Sequence, residues 1–354
     1  MNRQRASRSI VALLLFYVFN LAIQFLTSPG LGDVVEIQTE GWYSLYFTNP
    51  EGAAASTLRG GPDAMLAAAM DGAAESIDVA AQELDLWSIR DALIRAHERG
   101  ILVRVVTETD YASNPEMQAL GLAGIQVRGD ERQPLMHNKF VVIDGEEVWT
   151  GSMNLTTNGA YRNNNNLLRI QSAQLADEYT NEFEEMLIED RFGQLSWPEV
   201  PRPPIEVDGT QIEVLFSPDM HTGDHIVALL QNAEESIHVM AFNLTLDTIA
   251  ETILRRASDG IEVQGLFDAG QAQNQGSDVE RFDESGIDVT LDGNPRKMHH
   301  KVIIVDERIV ITGSYNFSRN AEEKNDENVL IIYSPRLARE YLIEFSRLQE
   351  MGTQ

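Results

Sequence analysis

The sequence contains no cysteine among its 354 residues. This absence excludes disulfide bonds, thiolate metal sites and a cysteine nucleophile. It also excludes attachment to a membrane through a lipid-modified cysteine.

Positive charge is scarce as well. The chain has 27 lysines and arginines against 55 aspartates and glutamates, which gives a net charge of −28. Only four of the cations are lysines, at positions 139, 297, 301 and 324. An acidic surface repels nucleic acids and anionic lipids at long range, so electrostatic steering towards DNA is not expected. The acidity itself is interpreted as a solubility feature.

One hydrophobic run, from Ile10 to Leu26, is long enough to be a membrane segment, and three arginines precede it. No small-x-small cleavage site follows, so residues 1–30 are predicted to form an uncleaved signal anchor. A cleaved signal peptide, which would make the protein secreted, is the first alternative, and a buried core helix is the second. Because the arginines flank only the N-terminal end, the rest of the chain is predicted to lie outside the cytoplasm at a membrane.

Four prolines within residues 196–209 divide the remaining chain into two halves with the same order of elements. Each half has a β-rich strand, an amphipathic helix that ends at Gly100 or Gly260, a further strand, two short strands joined by a tight turn, and a final helix. We predict an α/β sandwich lobe at residues 31–196, a linker at 197–209 and a second lobe at 210–354. A pseudo-twofold axis would relate the lobes, with the site at their interface.

A His-x-Lys pair followed by four residues and an aspartate occurs once in each half, 162 residues apart. The copies consist of His137, Lys139 and Asp144, and of His299, Lys301 and Asp306. Positions i and i+2 of a strand share a face, so the histidine and lysine of each copy point the same way. Because a repeated lysine is costly on a buried sheet face, the pattern predicts a functional site built from both halves.

The chemistry of these side chains fits displacement at phosphorus. Two facing histidines can act as nucleophile and general acid, since one imidazole can be neutral and the other protonated near neutral pH. Two lysines and two amides would hold the nonbridging oxygens of the phosphate. The amides are Asn154 and Asn316 in "GSMN" and "GSYN", in which Ser152 and Ser314 are predicted as further hydroxyl donors. This arrangement requires neither a metal nor a cofactor.

A carboxylate that accepts a hydrogen bond from imidazole Nδ1 fixes the tautomer of the ring. Glu327, in "NDEN", follows His299 by 28 residues, and we expect it to orient His299. The corresponding residue of the first half is Asn165, an amide without charge. The two histidines are therefore expected to differ in pKa.

Both copies resemble the HKD signature of the phospholipase D superfamily, H-x-K-x4-D-x6-G-S-x-N, and match it at every specified position. The resemblance covers nearly all of the chain from about Asp33. It implies a metal-independent phosphodiesterase that works through a phosphohistidine, with His137 as nucleophile and His299 as acid. It also implies that Asp144 and Asp306 shape the site without transferring protons.

The sequence around the two motifs is similar to that of the small bacterial endonuclease and mitochondrial cardiolipin hydrolase branch, whose one-motif subunits dimerise. This chain resembles two such subunits fused, which implies a monomer without an obligate protein partner.

The residues leave the substrate open between a phospholipid and a nucleic acid. The predicted anchor favours lipid hydrolysis or headgroup transfer, and the similarity to an endonuclease favours a nuclease. A protein that binds lipid or nucleic acid without catalysis is a third alternative. A rival cluster, "HTGDH" at residues 221–225, could contact a metal, but it is interpreted as a loop in which Thr222 or Asp224 caps the following helix.

Overall fold

Our computed structural model describes residues 35–197 and 202–352, and for residues 35–40 it describes the backbone alone. The predicted N-terminal anchor, residues 1–30, lies outside this part of the chain. Across the two described ranges, no helix combines the length and the apolar composition that a membrane crossing requires.

The first half of the chain folds into one mixed α/β lobe. Its strands are β1 (Val35–Glu40), β2 (Tyr43–Phe47), β3 (Ser76–Ala81), β4 (Leu102–Thr107), β5 (Gln126–Gly129), β6 (Lys139–Ile143), β7 (Glu147–Gly151) and β8 (Asn166–Gln171). Its helices are α1 (Ala53–Thr57), α2 (Pro62–Gly72), α3 (Trp87–Glu98), α4 (Pro115–Leu122), α5 (Thr157–Tyr161) and α6 (Ala173–Leu187).

The second half repeats this arrangement. Its strands are β9 (Ile205–Val207), β10 (Thr210–Ser217), β11 (Ser236–Ala241), β12 (Glu262–Phe267), β13 (Asp288–Leu291), β14 (Lys301–Val305), β15 (Ile309–Gly313) and β16 (Glu327–Tyr333). Its helices are α7 (Thr222–Gln231), α8 (Asp247–Ser258), α9 (Val279–Glu284), α10 (Arg319–Glu323) and α11 (Pro335–Met351). The short edge strand β9 lies inside the segment predicted as a linker.

The two eight-stranded sheets have the same topology. The first sheet has the strand order β1-β2-β8-β7-β6-β3-β4-β5. The second sheet, written from its opposite edge, has the order β13-β12-β11-β14-β15-β16-β10-β9, so β9 corresponds to β1 and β13 to β5. In the first lobe β3, β4 and β5 are parallel and joined through helices, whereas the other neighbours are antiparallel. The predicted pair of similar α/β lobes is confirmed.

The predicted turns have the expected backbone conformations, with one exception. Gly100 and Gly260, which follow α3 and α8, have φ values of 90° and 96° and so reverse the chain where a side chain would be strained. Helix α7 instead begins after His221, which occupies the N-cap position with φ 49° and no side-chain cap. The prediction of Thr222 or Asp224 as the cap was therefore wrong.

A continuous apolar core joins the lobes. Its members include Phe47 and Tyr179 of the first lobe and Phe216 and Tyr341 of the second. The rings of Phe47 and Tyr341 lie 5.3 Å apart, as do those of Tyr179 and Phe216. Aromatic contacts of this kind across both sides of the interface fix the relative placement of the two lobes. The site between them is consequently preformed.

Candidate active site

The two histidines of the repeated motif lie at matching positions in the interface. Each immediately precedes the strand that its lysine begins, β6 or β14. The backbone N–H of His137 donates to the Asp326 carbonyl at 3.0 Å, and that of His299 donates to the Asn164 carbonyl at 2.8 Å. Each histidine is thus held by the opposite lobe, so neither lobe alone contains a complete site.

This crossed pairing determines what orients each imidazole. Nδ1 of His137 lies 2.7 Å from Oε2 of Glu327, which comes from the second lobe. Nδ1 of His299 lies 3.0 Å from Oδ1 of Asn165, which comes from the first. The expectation that Glu327 would orient His299 was therefore wrong, although the predicted asymmetry between a charged and a neutral partner is confirmed. The residue before each orienting residue, Asp326 or Asn164, forms a β-bridge with Met136 or Met298 of the opposite lobe. Each orienting residue therefore faces the histidine of the opposite lobe.

The two motif serines support the orienting groups. The hydroxyl of Ser314 donates to Oε2 of Glu327 at 2.6 Å, and that of Ser152 donates to Oδ1 of Asn165 at 2.8 Å. Each serine oxygen also accepts a backbone N–H, from Asn328 or Asn166. The predicted serine hydroxyl donors therefore support the orienting groups, and donation to a phosphate stays a prediction.

The structure brings both lysines into the site. Nζ of Lys139 donates to the His137 carbonyl at 2.8 Å, and Nζ of Lys301 donates to the His299 carbonyl at 3.0 Å. Both side chains are buried, with 4% and 2% of their surfaces exposed. Burial lowers the pKa of Lys139 to about 7, and burial together with the charge of Lys139 lowers the pKa of Lys301 well below its usual value. A phosphate anion would supply the missing countercharge.

The imidazoles also titrate abnormally. Burial lowers the pKa of His137 to about 4, although the Glu327 carboxylate opposes the shift. Burial lowers the pKa of His299 well below its usual value, and the charges of Lys301, Lys139 and His137 add to that effect. His299 has no carboxylate partner to oppose its shift, so His137 is the more basic of the two. The charges of both lysines act on both imidazoles, so the four motif residues form one electrostatically coupled group.

The motif amides have unused hydrogen-bonding capacity at this point. Within the described residues, Oδ1 of Asn154 and Oδ1 of Asn316 are buried without a partner. Buried polar atoms are nearly always paired in proteins, so such a matched exception at equivalent positions is typical of a ligand site. An amide oxygen accepts a hydrogen bond, so these two atoms can bind a donor such as water or a substrate hydroxyl. Binding of the phosphate oxygens would fall to the NH2 groups of the same side chains, and that role stays a prediction.

The motif aspartates lie away from the histidines, at the far end of β6 and β14. Asp144 accepts the backbone N–H groups of Ala74, Glu75 and Ser76 at 2.7 to 3.1 Å, and these bonds lower its pKa although burial opposes them. Asp306 binds residues 234–236 in the same way. Both lie in the hairpin turn with positive φ. Their function is to join each hairpin to the start of β3 or β11.

Sequence reasoning missed two carboxylates that position the catalytic segments. Glu108 accepts the backbone N–H of Met136 at 2.9 Å, and Asp268 accepts that of Met298 at 3.0 Å. Each methionine directly precedes a motif histidine. Burial and the neighbouring Asp130 raise the pKa of Glu108 to about 7. The repeat contained a signal for this pair, because each carboxylate directly follows the equivalent strand, β4 or β12. The pair is not an identical match, since one residue is a glutamate and the other an aspartate.

The two lobes also differ next to the lysines. Gln82 lies 3.3 Å from Nζ of Lys139 through its amide oxygen. The equivalent position in the second lobe is Phe242, whose ring lies 4.8 Å from that of His299 and 5.2 Å from Nζ of Lys301. One half of the site is therefore polar and the other aromatic.

Comparison with known proteins agrees with this geometry. The family model for the cardiolipin synthase, PLD-like domain matches residues 66–187 and 226–349. A mitochondrial cardiolipin hydrolase from Chlamydomonas reinhardtii is 34% identical over 122 residues, which are 34% of this chain and 55% of that protein. A phospholipase D from Rickettsia prowazekii (strain Madrid E) is 33% identical over 137 residues, 39% of this chain and 67% of that one.

A solved structure shows the same fold over nearly the whole molecule. Phosphatidylserine synthase from Haemophilus influenzae Rd KW20 superposes with a TM-score of 0.67 at 16% identity, covering 90% of this chain and 88% of that one. The alignment with the Chlamydomonas hydrolase spans only about half of that relative, 55% of its length. Because the family model matches most of each lobe, the chain belongs to the phospholipase D superfamily, with two PLD-like domains in one polypeptide.

Proposed function

We propose that the protein is a metal-independent phosphodiesterase that acts through a phosphohistidine, with phospholipid diesters as its substrates. The observation that carries the proposal is the crossed pair of oriented imidazoles, His137 with Glu327 and His299 with Asn165, beside two buried lysines. Lipid is favoured over nucleic acid because the net charge of −28 repels a long polyanion more strongly than a single lipid molecule with one or two phosphates. Action at a membrane stays a prediction, since it depends on residues 1–30.

In the first step, Nε2 of neutral His137 attacks phosphorus while its Nδ1–H donates to Glu327. The bond from phosphorus to the leaving oxygen breaks, and His299 gives that oxygen a proton from Nε2. In the free site burial and the neighbouring cations disfavour the protonated form of His299, and the negative charge of the bound phosphate stabilises it. The phosphorylated ring gains positive charge, which the Glu327 carboxylate stabilises. In the second step His299 takes a proton from water, the hydroxide attacks phosphorus, and the P–N bond breaks to restore His137.

The two lysines supply the charge that a metal would otherwise provide. Lys139 and Lys301 neutralise the nonbridging oxygens, and the Asn154 and Asn316 amides bind them. A divalent cation would be repelled by these ammonium groups, and the Glu327 carboxylate is already engaged by His137 and Ser314. Activity is therefore expected to be independent of added metal.

The test is cleavage by the full-length protein in EDTA. We expect hydrolysis of bis(p-nitrophenyl) phosphate and of phospholipid vesicles at rates that EDTA leaves unchanged. Single-stranded DNA serves as the third substrate, and faster cleavage of DNA than of lipid would identify a nuclease. Activity that EDTA removes and zinc or magnesium restores would contradict the mechanism. Tight lipid binding without cleavage of any diester would identify a binding protein.

The pH dependence follows from the two shifted groups. Below about pH 4 His137 becomes protonated and cannot attack, and above about pH 7 Lys139 loses its charge and binds phosphate less well. We expect kcat/KM for bis(p-nitrophenyl) phosphate to be constant between these values and to fall on both sides. This substrate has a good leaving group, so the proton of His299 does not limit the first step. A profile that still rises above pH 8 would be inconsistent with the role given to Lys139.

A further inference from the structure

The two flanks of the active site carry opposite charge, although the fold that builds them is the same. Three cations, Arg162, Arg296 and Lys297, lie on the side of the site that holds His299. Lys297 and His299 both contact the ring of Phe242, and the two arginines line a cavity together with Asn164, whose carbonyl accepts the His299 N–H. The positions related to them by the 162-residue repeat hold Lys324, Pro134 and Leu135, so two of the three charges have no counterpart beside His137. We call Arg162, Arg296 and Lys297 the basic flank.

The flank beside His137 is acidic. Glu322, Glu323 and Asp326 occupy positions that hold Ala160, Tyr161 and Asn164 in the first lobe. Asp326 pairs with Arg132, whereas Glu322 accepts the backbone N–H of Gly223 at 2.8 Å. The excess of negative charge beside His137 therefore comes from residues of the second lobe whose equivalents in the first lobe are uncharged.

Lys297 reaches the catalytic residues directly. Its ammonium group lies 5.2 Å from the ring of Phe242, which also contacts the ring of His299 and the ammonium group of Lys301. The charge of Lys297 contributes to the lowered pKa of His299, as expected for a nearby cation. Phe242 has no polar group to neutralise these charges, and its ring attracts both ammonium groups, the exposed one of Lys297 and the buried one of Lys301.

The two arginines line a cavity of about 350 Å³ between the lobes. Its wall also includes Tyr161, Pro295, Met351 and one carboxylate, that of Glu51. In the described part of the chain, Arg162, Arg296 and Lys297 form no ion pair, and the only side-chain bond of Arg162 is to the amide oxygen of Asn158 at 3.2 Å. A second interface cavity, lined by residues 194, 196, 218, 219, 221, 322 and 323, contains three carboxylates and no arginine or lysine.

We propose that the basic flank is a subsite for a second phosphate, carried by the leaving alcohol of the substrate. The inference rests on the proposed function, in which His137 attacks and His299 protonates the leaving oxygen. An in-line displacement places the leaving group opposite the nucleophile, on the side of His299. Cations without ion pairs beside a mixed polar and apolar cavity fit an anionic group on an apolar scaffold.

The subsite narrows the substrate class. A lipid whose leaving alcohol bears its own phosphate fits the basic flank, as does an oligonucleotide with a phosphate next to the scissile one. A lipid that releases a cationic alcohol such as choline meets three like charges and is disfavoured. The shared chemistry is a diester with a second phosphate on the leaving side.

The experiment compares diesters that differ in the leaving alcohol. Cardiolipin releases an alcohol with a second phosphate, phosphatidylglycerol releases plain glycerol, and phosphatidylcholine releases choline. In detergent mixed micelles we expect kcat/KM to fall in that order, with a ratio of about ten or more between the first two, the effect of one charge-assisted contact. The dinucleotide dTpT, with and without a terminal phosphate, forms the nucleic-acid arm and shows whether the second phosphate may come from that source.

Variants assign the preference to the basic flank. Lys297→Ala and Arg296→Ala are each expected to lower the cardiolipin to phosphatidylglycerol ratio about tenfold. Lys324→Ala is the matched control, because it removes one exposed cation at the repeat position of Arg162, and it should leave the ratio at the wild-type value. An equal ratio in all variants, or wild-type preference for phosphatidylcholine, would overturn the subsite while leaving phosphodiesterase activity intact. Failure to cleave any diester would instead overturn the proposed function.

Discussion

Replacing either His137 or His299 by alanine is expected to lower kcat on phospholipid by about 10⁴-fold or more. Each imidazole performs a step that the other cannot, because the two have different partners in opposite lobes. Steady-state rates of the two variants with the same lipid substrate provide the measurement. A variant that kept wild-type kcat would show that the two histidines do not share one site. Unchanged thermal melting would exclude unfolding as the cause of the loss.

The same two variants should differ with an activated substrate. p-Nitrophenolate leaves without a proton, so His299→Ala should release a burst of about one p-nitrophenolate per enzyme from bis(p-nitrophenyl) phosphate. Turnover then stops, because the acid that protonates lipid leaving groups is also the base that activates water. His137→Ala should give no burst. The reverse result, a burst from His137→Ala alone, would exchange the roles of the two residues.

The sequence predicted the fold and the motif chemistry because both depend on local patterns. Strand alternation, helix periodicity and the glycines that end α3 and α8 are determined by neighbours in the chain. The repeat predicted in addition that two similar lobes pack against each other. The repeat could not show which lobe supplies each contact, and the pairing of His137 with Glu327 joins residues that are 190 positions apart in the chain.

The spacing that both copies of the motif share also did not distinguish residues with different roles. Asp144 and Asp306 belong to the repeated pattern, yet they stabilise hairpin turns at the far end of a buried strand. Ser152 and Ser314 lie beside the site but donate to orienting groups. A motif shows which residues occur together in a fold. Only the three-dimensional contacts distinguish the residues that can contact the substrate from those that stabilise the surrounding structure.

Glu327→Gln is expected to lower kcat by about 10³-fold, the scale on which an orienting carboxylate contributes. The amide carries no charge to stabilise a phosphorylated His137, and its NH2 group can face Nδ1 and favour the wrong tautomer. Because Glu327 raises the pKa of His137 against the effect of burial, the variant should also shift the acid limb of the kcat/KM profile to lower pH. A role in folding alone would leave that limb in place.

Ser314→Ala is the matched control for this effect, because it keeps the carboxylate and removes only the hydroxyl that donates to it at 2.6 Å. Its loss in kcat should be about tenfold, the effect of one hydrogen bond to a charged group. Quenching the wild-type reaction at mildly alkaline pH and mapping the labelled peptide by mass spectrometry should place the phosphoryl group on His137. If Glu327→Gln lost no more activity than Ser314→Ala, the charge of Glu327 would have no part in stabilising the intermediate. If the label appeared on His299, that residue would be the nucleophile, and Glu327 would act by keeping His137 protonated as the acid.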